Sequence, residues 1–108
     1  MSQSVSKKPE ALRDLVEQAD YIAQHSLEAA ERFVDAAEAT FEILARTPEI
    51  GGVCQFRSPQ AAGLRVWPVR GFQKHLVFYR PAGNGIDVIR VIHAARDIEA
   101  VLGNQSDQ

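Results

Sequence analysis

Apolar residues recur with two different periods along this chain, and the change of period divides it into halves. From Pro9 onward Leu12, Leu15, Val16, Ala19, Ile22 and Ala23 return every three or four positions, the spacing of one face of a helix. Pro9 suits the first helical turn, and Glu10 and Asp14 suit its positive end. The stripe stops at His25-Ser26, where Ser26 is an N-cap for a second helix with Glu28 in its first turn. That helix carries Ala30, Phe33, Val34, Ala37, Phe41, Leu44 and Ala45 on one side. So short a connection makes the two helices antiparallel, with apolar faces that can cover a sheet together. Thr47-Pro48 ends the second helix, because the residue before a proline is pushed out of helical geometry. Gly51-Gly52 opens a loop, and Val53 to Ala62 has no regular pattern.

After Gly63 the period becomes two. Leu64 and Val66 alternate with Arg65 and Trp67, and Arg70-Gly71 turns the chain into a long run, Phe72 to Arg80. Pro81 to Gly85 reads as a hairpin turn, with Asn84-Gly85 tolerant of positive φ, and leads into Ile86 to His93. In this last run Ile86, Val88 and Ile92 alternate with Ile89 and Val91, so both faces are apolar and an interior strand is expected. Ala94 to Leu102 reads as a short helix with Asp97 near its start. The pattern therefore predicts an α+β fold: an N-terminal helical hairpin packed on a three- to four-stranded antiparallel sheet, with a short C-terminal helix.

A length of 108 residues predicts one domain spanning the whole chain. Residues 1–8, with Val5 the apolar exception, read as a tail or a weak edge strand, and 103–108 as a frayed tail. No run of about 18 apolar residues and no signal-peptide core is present, which points to a soluble, cytoplasmic protein without membrane attachment. The single cysteine, Cys54, has no CxxC companion or histidine cluster, so it reads as a packing residue; no disulfide, metal or cofactor is expected. Charge divides as the pattern does. Up to Gly52 there are 5 Lys/Arg against 10 Asp/Glu, and from Val53 onward 7 against 4, so −5 is followed by +3. The basic sheet half suits an anionic partner or is simply a solvated face.

Five segments, taken in order, resemble the ParE branch of the RelE/ParE toxin superfamily. They are Ala19 to Ala23, Thr47 to Gly51, Gly63 to Arg65, Phe78 to Arg80 and Arg90 to Asp97. The resemblance implies a toxin of a bacterial type II toxin–antitoxin pair, with a cognate antitoxin that neutralises it alone or in a larger oligomer. For the ParE branch it implies inhibition of DNA gyrase without enzymatic activity. For the RelE branch it implies a ribosome-dependent mRNA endoribonuclease that needs no metal. Relatives are commonly basic, whereas this chain has a net charge of −2, which disfavours direct binding to a nucleic-acid backbone.

A metal-independent nuclease needs a base, an acid and a cation for the phosphorane, and Arg65, Arg90 and His93 are the residues that would supply them. The alternation puts His93 beside Ile89 and Val91, where a hydrogen-bonded structural role is the commoner one. Arg65 and Arg90 are expected to pair with carboxylates such as Asp87 and Asp97, or to reach solvent. Lys74 is the one lysine of the sheet half, fewer than a phosphate-cleaving surface calls for. Arg65, Trp67, Arg70, Lys74, Tyr79, Arg90 and Arg96 form the candidate partner-binding set. Among them Trp67 is expected either to project from the uncovered sheet face as an anchor or to lie under the C-terminal helix, and Tyr79 to pack with its hydroxyl at the rim.

Overall fold

The structure, a computed structural model, describes residues 3–56 and 59–103. Strand β1 (Val5–Lys7) leads into α1 (Pro9–Ala23) and α2 (Leu27–Arg46). After a 3₁₀ turn at Pro48–Ile50 come β2 (Gly52–Val53), β3 (Arg65–Val69), β4 (Phe72–Ala82), β5 (Gly85–His93) and α3 (Ile98–Gly103). The sheet has the order β1-β5-β4-β3-β2, antiparallel except for β1, which runs parallel to β5. The predicted meander is thus its centre, and a short strand is added at each edge. Residues 104–108, most of the expected C-terminal tail, lie outside the described residues.

The first two helices start where the sequence signals them, whereas α3 begins at Ile98, four residues after the expected Ala94, with Asp97 accepting from Ala100 N. Ser26 Oγ accepts a hydrogen bond from Ala29 N at 3.1 Å and caps α2, and α1 carries Pro9 in its first turn. The buried face of α1 differs from the expected one. Ala11, Asp14 and Leu15 are buried, whereas Leu12 and Val16 face outward. At 100° per residue the helix is turned by roughly a quarter of a turn from the apolar stripe. Val34 of α2 is likewise turned outward, while Ala30, Phe33, Ala37, Phe41, Leu44 and Ala45 pack inward.

The turn between β4 and β5 is Gly83-Asn84, one residue earlier than expected. Gly83 takes φ +57°, as the first central residue of a type II′ hairpin requires. Gly85 is needed for a different reason: a Cβ there would collide with the backbone of Ser4, whose carbonyl accepts from Ile86 N at 3.0 Å. The absence of a side chain lets the N-terminal segment lie alongside β5. Lys7 then fastens it, with an ion pair to Glu38 at 3.2 Å and its ammonium 5.7 Å from the centre of the Phe41 ring.

A β-bulge regroups β5. Phe78 pairs with Arg90 but Tyr79 pairs with Val88, so Ile89 is an extra residue. Past the bulge the faces exchange: Val91 joins Ile86 and Val88 in the cluster under the helices, and Ile92 joins Ile89 on the opposite face. Strict alternation had grouped Ile92 with Ile86 and Ile89 with Val91. The second face is covered by Leu102 of α3 together with Ala61, Leu64 and Phe78.

Candidate functional site

Arg90 is the residue around which helix and sheet are joined. Its side chain reaches α1, where Asp14 accepts from Nε at 2.7 Å and from Nη2 at 2.9 Å. The same carboxylate accepts from Val91 N at 3.0 Å. Asp14 and Arg90 have side chains 9% and 16% exposed, so this is a buried bidentate pair, and it explains why α1 turns Asp14 inward at the expense of Leu12 and Val16. The hydrogen bond that Arg90 donates to Asp14 strengthens its hold on the proton, outweighing the opposite effect of burial. The expected partners, Asp87 and Asp97, are not the ones used: the carboxylate comes from Asp14 of α1.

Arg65 also finds a different partner. Its Nη1 donates to the carbonyls of Gly51 at 2.7 Å and Glu49 at 3.2 Å, bracing the segment after α2 against β3. Tyr79 completes that brace. It is fully buried rather than set at the rim, donating to Pro48 O at 2.7 Å and accepting from Gly51 N at 2.9 Å. Burial makes its phenol harder to ionise than usual.

His93 lies under α1 beside Val91, separated by the bulge from the face of Ile89. It sits directly across from His75 on β4, the ring centres 4.9 Å apart in an edge-to-face arrangement. The pair lines a cavity of about 440 Å³ with Asp14, Glu17, Gln18, Tyr21 and Arg96. Burial, and secondarily the neighbouring His93, lower the proton affinity of His75. Trp67 is half-buried against the helix-side core, and not on the far face or under α3, because Leu64 and Val66 take the far face. It borders a second hollow with Thr40, Ile43, Pro68, Arg70 and Gln73. Arg70, Lys74 and Arg96 are exposed. The three nuclease candidates are therefore not gathered: Arg65 holds backbone carbonyls near β2, Arg90 is committed to Asp14, and His93 pairs with His75. Among the described residues no three His, Cys, Asp or Glu side chains gather as a metal site. Cys54 is half-buried, and burial raises its thiol pKa, which disfavours the reactive thiolate.

An apolar surface is left open on the outer side of the helical hairpin. Leu12, Val16, Leu27 and Val34 are 46%, 59%, 67% and 39% exposed. Ala19, Ala23 and Ala30 line the floor between the helices with Leu27 and Val34, forming a groove of about 340 Å³ with Asp20, Glu31 and Asp35 at its edges.

A family model described as the ParE toxin of type II toxin-antitoxin systems, parDE, matches residues 5–98. The chain belongs to the ParE toxin family. A solved structure described as a chromosomal ParDE toxin–antitoxin system from P. aeruginosa shares the fold, with a TM-score of 0.66 at 20% sequence identity over 84% of this chain and 95% of the other. No curated protein matches the sequence. In this ParE chain, accordingly, the arginines and the tyrosine that carried the resemblance are first of all parts of the scaffold. Arg65 and Tyr79 lock the segment from Pro48 to Gly51, and Arg90 locks α1. Among the described residues no helix is long and apolar enough to cross a membrane.

Proposed function

We propose that this toxin acts by binding and inhibiting DNA gyrase, without catalysis, and that its cognate antitoxin docks on the outer groove of the α1–α2 hairpin. The observation that carries the first part is the commitment of Arg90. A guanidinium held by two hydrogen bonds to a buried carboxylate has little to offer a developing phosphorane. A residue chosen for phosphate chemistry needs its donors free. The negative net charge agrees, since a protein that grips a nucleic-acid backbone needs a surplus of cations at the contact.

The groove supports the second part. It offers adjacent exposed aliphatic side chains beside carboxylates, the complement of an amphipathic helix whose apolar stripe is flanked by lysine or arginine. Two tests separate the readings. Inducible expression in a bacterial host should arrest growth, and co-expression of the antitoxin should restore it. The purified chain should stop negative supercoiling by purified gyrase and leave mRNA intact in a translating extract. Codon-positioned cleavage of mRNA, with supercoiling untouched, would establish the RelE-type activity instead.

A further inference from the structure

The histidine pair at the ends of β4 and β5 has its protonation geometry written into the surrounding hydrogen bonds. The side-chain amide of Gln18 donates through Nε2 to Val91 O at 2.8 Å, which turns its Oε1 toward His75. His75 Nδ1 lies 2.8 Å from that oxygen and must therefore carry the proton, leaving Nε2 as the bare nitrogen. His93 has the opposite form. Its Nδ1 accepts from Ala95 N at 3.0 Å, so in the neutral ring the proton is on Nε2. A metal bridging the two rings is disfavoured by this pattern, because a ligating histidine ordinarily donates through its second nitrogen.

The bond from Ala95 to His93 closes the turn from Ala94 to Asp97, together with Arg96 N to His93 O at 3.0 Å and Ala94 N to Lys74 O at 2.7 Å. That turn carries α3, whose start is capped by Asp97 and whose Leu102 covers Phe78 and Ile92. We propose that His75 and His93 form a proton-operated latch on this C-terminal arm: one proton taken up by the pair at His93 turns Nδ1 from acceptor to donor, breaks its bond with Ala95, and loosens the turn that holds α3.

Groups from every neighbouring element face the pair. On β4, His75 is half-buried opposite His93, and burial, then His93, lower its proton affinity. From α1 the cavity receives Glu17, Tyr21 and Asp14, the last already paired with Arg90 of β5. Arg96 of the turn itself also lines it. From α2 the pair is met by the uncharged ring of Phe33, 4.7 Å from His75. Loosening α3 uncovers the apolar far face of the sheet, a second surface for a partner.

Hydrogen exchange of the full chain, corrected for the intrinsic pH dependence of exchange, tests this between about pH 8 and about pH 5. Protection of the Ala95 amide and of the α3 amides is expected to fall about tenfold across a single step. His93→Asn keeps an acceptor near the Nδ1 position and does not titrate, so its profile should be flat. His75→Asn leaves the bond from Ala95 to His93 in place, so its step should persist. Nitrogen NMR of the wild-type imidazoles needs no variant: His93 should carry its proton on Nε2 above the step and lose that form at the same pH as the arm opens. A wild-type profile without a step, a step that survives in His93→Asn, a step lost in His75→Asn, or an Nδ1-protonated neutral His93 would each overturn the latch.

Discussion

Removing the carboxylate of Asp14 is the perturbation that separates a structural Arg90 from a functional one. In Asp14→Ala the guanidinium, 16% exposed, loses its two acceptor contacts at 2.7 and 2.9 Å, and Val91 N–H loses its own at 3.0 Å. Breaking a buried ion pair from one side costs about 3–5 kcal/mol, and the residual exposure of Arg90 places this pair toward the lower end. The unsatisfied amide of Val91 adds about 1 kcal/mol. A total of about 4 kcal/mol is a large part of the roughly 5–15 kcal/mol that holds a domain of this size together. It corresponds to a fall in Tm of about 20 °C. Replacing both partners, Asp14→Leu with Arg90→Met, leaves no stranded charge and should return to within about 2 kcal/mol of the original stability. Denaturant unfolding of the wild type, Asp14→Leu, Arg90→Met and the double variant gives the coupling energy, expected to exceed about 2 kcal/mol. The folded double variant should still inhibit gyrase. A loss below about 1 kcal/mol in Asp14→Ala would refute the role of the pair in holding α1 to β5. A stable double variant without toxicity would refute the view that Arg90 is scaffold alone.

The remaining expectations are simpler. Tyr79→Phe deletes the hydroxyl that joins Pro48 O and Gly51 N, and should cost about 2 kcal/mol in denaturant unfolding with faster amide exchange at Gly51; unchanged exchange would contradict the brace. Leu27→Glu, at an exposed position of the α1–α2 groove, should leave stability within about 0.5 kcal/mol but weaken antitoxin binding at least about tenfold by calorimetry. Because the folded state lowers the proton affinity of His75 below its ordinary value of 6.5, the unfolded chain binds the proton more readily. Its contribution to stability is therefore whole above that value and lost as pH falls below it. Unfolding midpoints should drop through this range, and less steeply in His75→Asn. Gly85→Ala places a methyl group against the backbone of Ser4 and should expel β1 from the sheet, seen as lost exchange protection at Ile86 with β4 and the rest of β5 intact.

The helical hairpin and the meander were legible because their signals are local: Ser26 and Pro48 bound α2, and the β-branched runs mark β4 and β5. The regrouping at Ile89 was not, since a bulge depends on how two strands pair and leaves no mark in a single alternating run. From it followed the misplacing of Ile92 and Val91. The orientation of α1 was hidden for a related reason. Hydrophobic spacing ranks Leu12 and Val16 above Asp14 for burial, and a cross-element ion pair reverses that ranking. The edge strands β1 and β2 are two or three residues long and rely on Lys7, Gly85 and the carbonyls held by Arg65, contacts remote in sequence.

Titrating a fixed amount of purified DNA gyrase with the folded chain, and following negative supercoiling of a relaxed plasmid, addresses the mode of action most directly. A binding inhibitor should abolish supercoiling to an extent set by the ratio of chain to gyrase, and the antitoxin should restore it when added in equal amount to the chain. Gyrase that supercoils at full rate in the presence of a large excess of folded chain would contradict the proposed target.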